Sequence, residues 1–295
     1  MSSSKQSVVP TDRFNRMFRL GKLATGMAAT AFNQGAKQLA TGEMPSAAGI
    51  FLNHANAKRI AAELAQMRGA VMKIGQLLSM EAGEFLPPEL TEILSGVRDS
   101  AHSMPPGQLH EVLTRAWGQH WQDCFESFND QPFAAASIGQ VHEAVDRDGR
   151  RLAIKVQYPG IAASIDSDVD NVASLLKWLR LIPPGLDIKP LLDAARHQLH
   201  DEADYRLEAK HLQSYRRRLE SDAVFRLPEV IDHLSGPDIL AMTFVEGGNI
   251  DNLTGVHPDL RDKLATCLID LSLKEFLRWG TVQSDPNFAN FLFNS

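Results

Sequence analysis

From residue 57 onward the apolar positions Ile60, Leu64, Met67, Val71, Ile74 and Leu78 recur at steps of four and three, tracing one face of a long α-helix. In its second half, residues 69–80, apolar side chains surround the axis and Lys73 and Gln76 are the only long polar ones. A helix that is apolar on all sides is buried on all sides, so the Lys73 ammonium needs a carboxylate or phosphate; a short solvent stripe is the alternative. Pro87-Pro88 opens a short helix through Val97, and residues 107–117 form a third. The texture changes near Phe125. Residues 138–145, the turn Asp146-Arg147-Asp148-Gly149, and residues 152–156 read as strand, turn and strand. Helical patterns follow over 161–181 and about 188–219, separated by Pro183-Pro184-Gly185. Strand-like runs return at 230–234 and 239–244. A last helix runs from Pro258, a favoured first position, to Trp279, with Gly280 as its stop. The order predicts an α+β fold: helices, a β-rich lobe containing a helix, and a second helical start. Residues 1–46, enriched in Ser, Gly and Thr with a weakly amphipathic stretch over 14–39, read as a mobile arm with one helix.

Composition narrows the classes. With 295 residues, 44% hydrophobic and 22% charged, the chain can bury a sizeable core. A formal charge of -6 argues against binding a nucleic-acid backbone, and Arg216-Arg217-Arg218, the only dense basic cluster, reads as a solvated helix end. Cys124 and Cys267 lie far apart without metal-type spacing, which fits a reducing compartment. The first residues lack the order of a secretory signal, and the apolar segment 23–32 is too short to cross a bilayer. A cytoplasmic location, with peripheral contact to the inner face of a membrane, is expected.

Phosphate chemistry is the candidate that the motifs suggest. Handling ATP needs a cover over the phosphates, a cation on them, a carboxylate holding that cation, and acid and amide groups near the transferred phosphate. Ala134, Ala135, Ala136, Ser137, Ile138, Gly139, Gln140 and Val141 stand where a kinase has its Gly-rich loop, with one glycine left. Leu152-Ala153-Ile154-Lys155-Val156 matches the kinase third strand, so Lys155 is the candidate cation. Glu208 is chosen as its partner; Glu202 and Asp204 are the natural counter-charges for Lys73, both reaching it only if their helix bends or starts nearby. Asp285 and Asn290 have the separation of the base and the metal-ligand amide of a kinase catalytic loop. Met242, Phe244, Val245 and Glu246 fall where a hinge would hold adenine through its backbone. Asp166, Asp168 and Asp170 alternate like a calcium loop, but its glycine and glutamate positions hold Asn171 and Lys177; His197 and His200 read as solvent-facing rather than metal-binding.

Lys73-Ile74-Gly75-Gln76 resembles the KxGQ signature of the UbiB family of atypical kinases, with Ala134 to Val141 similar to its alanine-rich loop, Glu202-Ala203-Asp204 to its ExD motif, and Asp285 with Asn290 to its catalytic-loop pair. The resemblance runs over residues 9–294. It implies a protein-kinase-like fold divided into an arm (1–46), a helical KxGQ extension (47–124), an N-lobe with a helical insertion (125–247) and an incomplete C-lobe (248–295). It further implies ATP or ADP with Mg²⁺, Asn290 being the metal ligand present, and ATPase or small-molecule kinase activity in support of ubiquinone biosynthesis. Catalytic roles fall to Lys155, Glu208 and Asp285, and regulatory ones to Lys73, Gly75, Gln76, Glu202 and Asp204. The expected partners are a nucleotide, a quinone-like lipid or phenolic precursor, a membrane surface and other quinone-biosynthesis proteins; a homodimer stays open. The family pattern continues to an Asp-Phe-Gly sequence whose aspartate holds Mg²⁺, and the chain is expected to be truncated before it, with weak or absent turnover. A non-catalytic nucleotide- or lipid-sensing accessory protein and an inert fragment are the alternatives.

Overall fold

The computed structural model describes residues 60–62, 64–82, 88–99, 103–179, 181–182, 185–250, 253, 255–283 and 290–294. The expected arm, residues 1–46, and most of the expected catalytic loop lie outside them. The described residues form two units, one running up to His211 and including Val230–Met242, the other comprising Leu212–Glu229 and the residues from Thr243 onward.

In the first unit, helical residues 60–62 and 64 pass through a 3-10 turn, Ala65–Met67, into α1 (Arg68–Ala82), followed by α2 (Pro88–Asp99) and α3 (Pro106–Trp117). Ile60, Leu64, Met67, Val71, Ile74 and Leu78 are all buried, so the periodic apolar face is a core face. Gly75 lets α2 come close: a Cβ there would stand 2.5 Å from a Leu94 methyl.

The antiparallel core of the unit is built on β1 (Phe125–Phe128), β2 (Ala134–Ala135), β3 (Gly139–Asp146) and β4 (Arg151–Gln157), with β5 (Ile239–Thr243) beyond β4; β2 pairs with β3. The β3–β4 turn is organised by Asp146. Burial works against its charge, yet backbone N–H groups of Arg150 and Asp148 and the Arg150 guanidinium hold its carboxyl below the usual carboxylate range. Gly149, at φ 78, supplies the left-handed residue that closes the turn.

Register divides the sheet into two faces. Gln140 faces Val156, His142 faces Ile154 and Ala144 faces Leu152, and all six are buried. Gly139 with Gln157, Val141 with Lys155 and Glu143 with Ala153 make the opposite face. On the first face an aromatic group, Trp121, Phe125 and Phe128, packs edge to face, Trp117 donates its indole N–H to the Leu234 carbonyl at 3.1 Å, and Phe128 stacks on His142.

The helices α4 (Ile161–Trp178), α5 (Lys189–Glu202) and α6 (Tyr205–Leu219) follow. The pattern over 188–219 predicts one helix; the structure has two. Ala203 ends α5, and Asp204 starts α6 by accepting the Arg206 N–H at 3.0 Å, a cap that serves a helix start better than a helix interior. The expected strand 230–234 is reduced to a single bridge, Val230 with Met242, followed by a 3-10 turn, Asp232–Leu234. There Ser235 both donates to Ile231 O and accepts from Ala241 N, so a side chain closes a turn where a ladder would have continued.

In the second unit β6 (Gly248–Asn249) pairs with β7 (Leu292–Phe293), and α7 (Pro258–Leu273) runs into a π-helical turn, Lys274–Trp279. Gly280 ends that turn in the left-handed conformation, at φ 61. Lys274 lies 2.7 Å from Asp222 and 2.6 Å from Asp270, and Trp279 meets Tyr215 edge to face.

Candidate functional site

Lys155 is raised by strand alternation onto the face opposite Ile154 and Val156, and its ammonium meets both carboxylate oxygens of Glu208, at 2.8 and 2.7 Å. Its side chain is 19% exposed, so the cation is partly withdrawn from water yet still open to a ligand. The start of α6 at Asp204 places Tyr205 and Glu208 three residues apart on one helical face, and the Lys155 ammonium stands 4.7 Å from the centre of the Tyr205 ring. Tyr205 is fully buried, and its hydroxyl has no hydrogen-bond partner among the described residues. Burial, with the neighbouring carboxylates of Glu208 and Glu202 adding to it, pushes that hydroxyl's pKa well above its ordinary range, so the group is neutral.

The break between α5 and α6 directs successive acids to different partners. Glu202, the last residue of α5, meets Lys73 of α1 at 2.7 Å with one oxygen and accepts the Ser137 hydroxyl at 2.9 Å with the other. Lys73 is 7% exposed, which excludes the solvent-stripe reading. Gly69 brings α1 against the loop as well, since a Cβ there would stand 3.0 Å from Ile138. Asp204, expected as a second counter-charge for Lys73, is exposed and caps α6. Gln76 is exposed, three residues from buried Lys73. The break itself is clamped from the sheet, because the Gln157 side chain donates to the Ala203 carbonyl at 2.9 Å.

The loop residues divide by environment. Ala134, Ala135 and Ser137 are exposed and Ala136 half-buried, whereas Ile138, Gly139 and Gln140 are buried in protein and Val141 is half-buried. Gly139 is the residue under which Tyr205 fits: a Cβ there would fall 2.7 Å from the Tyr205 hydroxyl. The side chain of Gln140 is committed elsewhere. Its carbonyl accepts the Met104 N–H at 2.9 Å, and its NH₂ lies 2.8 Å from His142 Nε2. The Asn129 carbonyl, 2.8 Å from His142 Nδ1, can only accept, so Nδ1 carries the proton and Nε2 accepts from Gln140. Burial, only partly offset by the Asn129 carbonyl, lowers the His142 pKa below 6.5.

In the second unit Glu246 is exposed on the stretch after β5, and Asn290 is exposed just before β7. Asp285 lies outside the described residues. Among the described residues no group of three or more His, Cys, Asp or Glu is arranged to hold a metal ion. One Asn amide is a poor match for the oxygen-rich octahedron that Mg²⁺ prefers. Asp166, Asp168 and Asp170 lie within α4, and His197 and His200 are exposed on α5. Sequence reasoning missed Tyr205 and Gln157; a bulky aromatic three positions before Glu208 was the one available signal for the former.

Residues 96–295 match the family model described as ABC1 atypical kinase-like domain. Atypical kinase COQ8, mitochondrial, of Saccharomyces cerevisiae is 39% identical over 290 residues, an alignment covering 98% of this chain and 58% of that protein. Atypical kinase coq-8, mitochondrial, of Caenorhabditis elegans is 40% identical over 296 residues, covering 99% of this chain and 39% of the relative. The chain thus spans less than two thirds of the length of these relatives. Among solved structures, the complex of Rv3197 with erythromycin from Mycobacterium tuberculosis is similar at 32% identity and a TM-score of 0.55, covering 80% of this chain and 60% of that one. No helix among the described residues is long and apolar enough to cross a membrane. With a kinase-like lysine and glutamate paired across sheet and helix, and with the family model matched over more than half of its length, the chain belongs to the ABC1, or UbiB, family of atypical kinase-like proteins.

Proposed function

We propose that this chain binds ATP or ADP at Lys155 and takes part in phosphoryl transfer or ATP hydrolysis in support of ubiquinone biosynthesis. The observation that carries the reading is the two-oxygen contact between Lys155 and Glu208, made by a half-withdrawn ammonium. A cation already oriented by a carboxylate can meet phosphate oxygens with little reorganisation, and phosphoryl transfer depends chiefly on such positioning and charge. In this reading the backbone of Ala134 to Ser137 covers the phosphates, and the backbone near Glu246 takes the adenine. Asp285 orients the attacking hydroxyl or water, and Asn290 offers an amide oxygen. Asn290 would be this chain's ligand to Mg²⁺ bound with the nucleotide, and the ion would supply neutralisation of the phosphate charge.

Because the relatives named COQ8 are longer than this chain, their role in quinone synthesis comes to it as part of the proposal. Both are mitochondrial by name, so the cytoplasmic location expected from the sequence is not carried forward; peripheral contact with a membrane, quinone-like lipids and other biosynthetic proteins remain proposed partners. The second reading is a nucleotide sensor without turnover. Phosphate release with and without phenolic quinone precursors and anionic liposomes separates the two. Turnover that disappears in Lys155→Ala supports the enzyme, nucleotide-dependent thermal stabilisation without turnover supports the sensor, and a wild-type protein showing neither sinks both.

A further inference from the structure

Lysine is a poor clamp by itself. Four rotatable bonds carry its ammonium, and a single carboxylate on one side restrains the direction of the charge only weakly. Here a second surface is present. The Lys155 ammonium stands 4.7 Å from the centre of the Tyr205 ring while Glu208 holds it with both oxygens, and the two restraining residues come from one helical face three positions apart. The ring is itself immobilised. Tyr205 is fully buried at the first turn of α6, directly after the Asp204 cap, and its tip reaches Gly139 of β3, where even a methyl group could not be accommodated. Its hydroxyl finds no partner among the described residues, so what the position uses is the aromatic face rather than the hydrogen-bonding tip.

We infer that Tyr205 is a positioning residue, an aromatic platform that holds the Lys155 ammonium against Glu208 so that its open side is pre-aimed at a phosphate oxygen. The inference deepens the proposed function and rests on it for the identity of the ligand. A platform and a mere core filler make different demands. A filler needs apolar volume, which methionine or leucine supplies, whereas a platform needs a π face, which phenylalanine keeps and the other two lack.

The test uses the whole chain. With ¹³C-labelled lysine, and the Lys155 signal assigned by its loss in Lys155→Arg, the Lys155 Cε protons are expected to be shifted upfield by the ring in the wild type and in Tyr205→Phe, and unshifted in Tyr205→Met and Tyr205→Leu. Affinity for a fluorescent ADP analogue is expected to fall about three- to thirtyfold in Tyr205→Met, the range of a partly desolvated cation–π contact, and to be rescued in Tyr205→Phe. In a Lys155→Ala background Tyr205→Met is expected to add nothing, because the two changes remove one interaction. A wild-type Lys155 signal without the ring shift overturns the inference, and this arm stands even where the Met and Leu variants fail to fold. Tyr205→Met with wild-type nucleotide affinity also overturns it. A wild-type protein that shows the ring shift but no nucleotide binding overturns the proposed function instead and leaves Tyr205 and Lys155 as a structural pair.

Discussion

Alanine at position 139 would bring a methyl group against the Val156 carbonyl oxygen and within 2.7 Å of the Tyr205 hydroxyl. Neither neighbour can yield easily, since one belongs to the paired strand β4 and the other to a fully buried ring. Overpacking of this kind costs about 1–3 kcal/mol, so Gly139→Ala is expected to lower the urea midpoint without changing the slope of the transition. The glycine thus makes room for a buried side chain. His142 shows the complementary case, a polar group inside the apolar face. Gln140 and the Asn129 carbonyl satisfy the neutral ring, Phe128 stacks on it, and Asp130 and His110 are the charged or titratable groups that influence it. A histidine whose folded pKa is lowered leaves the unfolded chain holding more protons below pH 6.5, so its contribution to stability is present above that pH and is lost as the pH falls toward the folded value. The urea stability of the wild type relative to His142→Gln is therefore expected to decline below pH 6.5 by up to about 1.4 kcal/mol per pH unit. A difference that does not vary with pH would show that the ring protonates equally well in the folded state.

At the scale of elements, the interruption between α5 and α6 does the most to build the site. Residues 202 and 208 on one uninterrupted helix would lie well apart around the axis, and their directions could not be set independently. Ending one helix at Glu202 and starting another at Tyr205 sends the first acid to Lys73 and Ser137 and the second to Lys155. The restart depends on a short polar side chain at the cap. Asp204→Ala is expected to cost about 1 kcal/mol of stability, with most of it restored in Asp204→Asn, as measured by thermal or urea unfolding. An equal loss in both variants would mean that the charge of Asp204, rather than its capping, carries its contribution. The hairpin of β3 and β4 needed no such tertiary help to be read. Its turn residues and alternation are local, and Lys155 could be assigned to the face opposite Ile154 and Val156 from them alone.

For the molecule as a whole, the surface of the second unit has its own consequence. Ile269, Leu273, Phe276 and Leu277, spaced as one helical stripe, are 62%, 51%, 72% and 73% exposed. Exposed apolar surface of this extent binds hydrophobic dyes and promotes association, so Phe276→Gln with Leu277→Gln is expected to reduce ANS fluorescence of the native chain and to shift it toward monomer in sizing experiments. Unchanged dye binding would place the exposed surface elsewhere. The pairing of Lys155 with Glu208 and of Lys73 with Glu202 was legible in the linear sequence, because each of these residues sits in a short motif whose local geometry is dictated by alternation, turn residues or helical spacing. So were the α+β class and the buried setting of Lys73, since periodicity reports which side of an element must leave water. What folding alone decided was the allocation of partners: that Glu202 is divided between Lys73 and Ser137, that Asp204 is a cap, that Gln157 holds the helix break, and that a tyrosine lies beneath the lysine. Those choices join residues dozens of positions apart, and sequence periodicity carries the direction of a side chain but not the distance to what it meets.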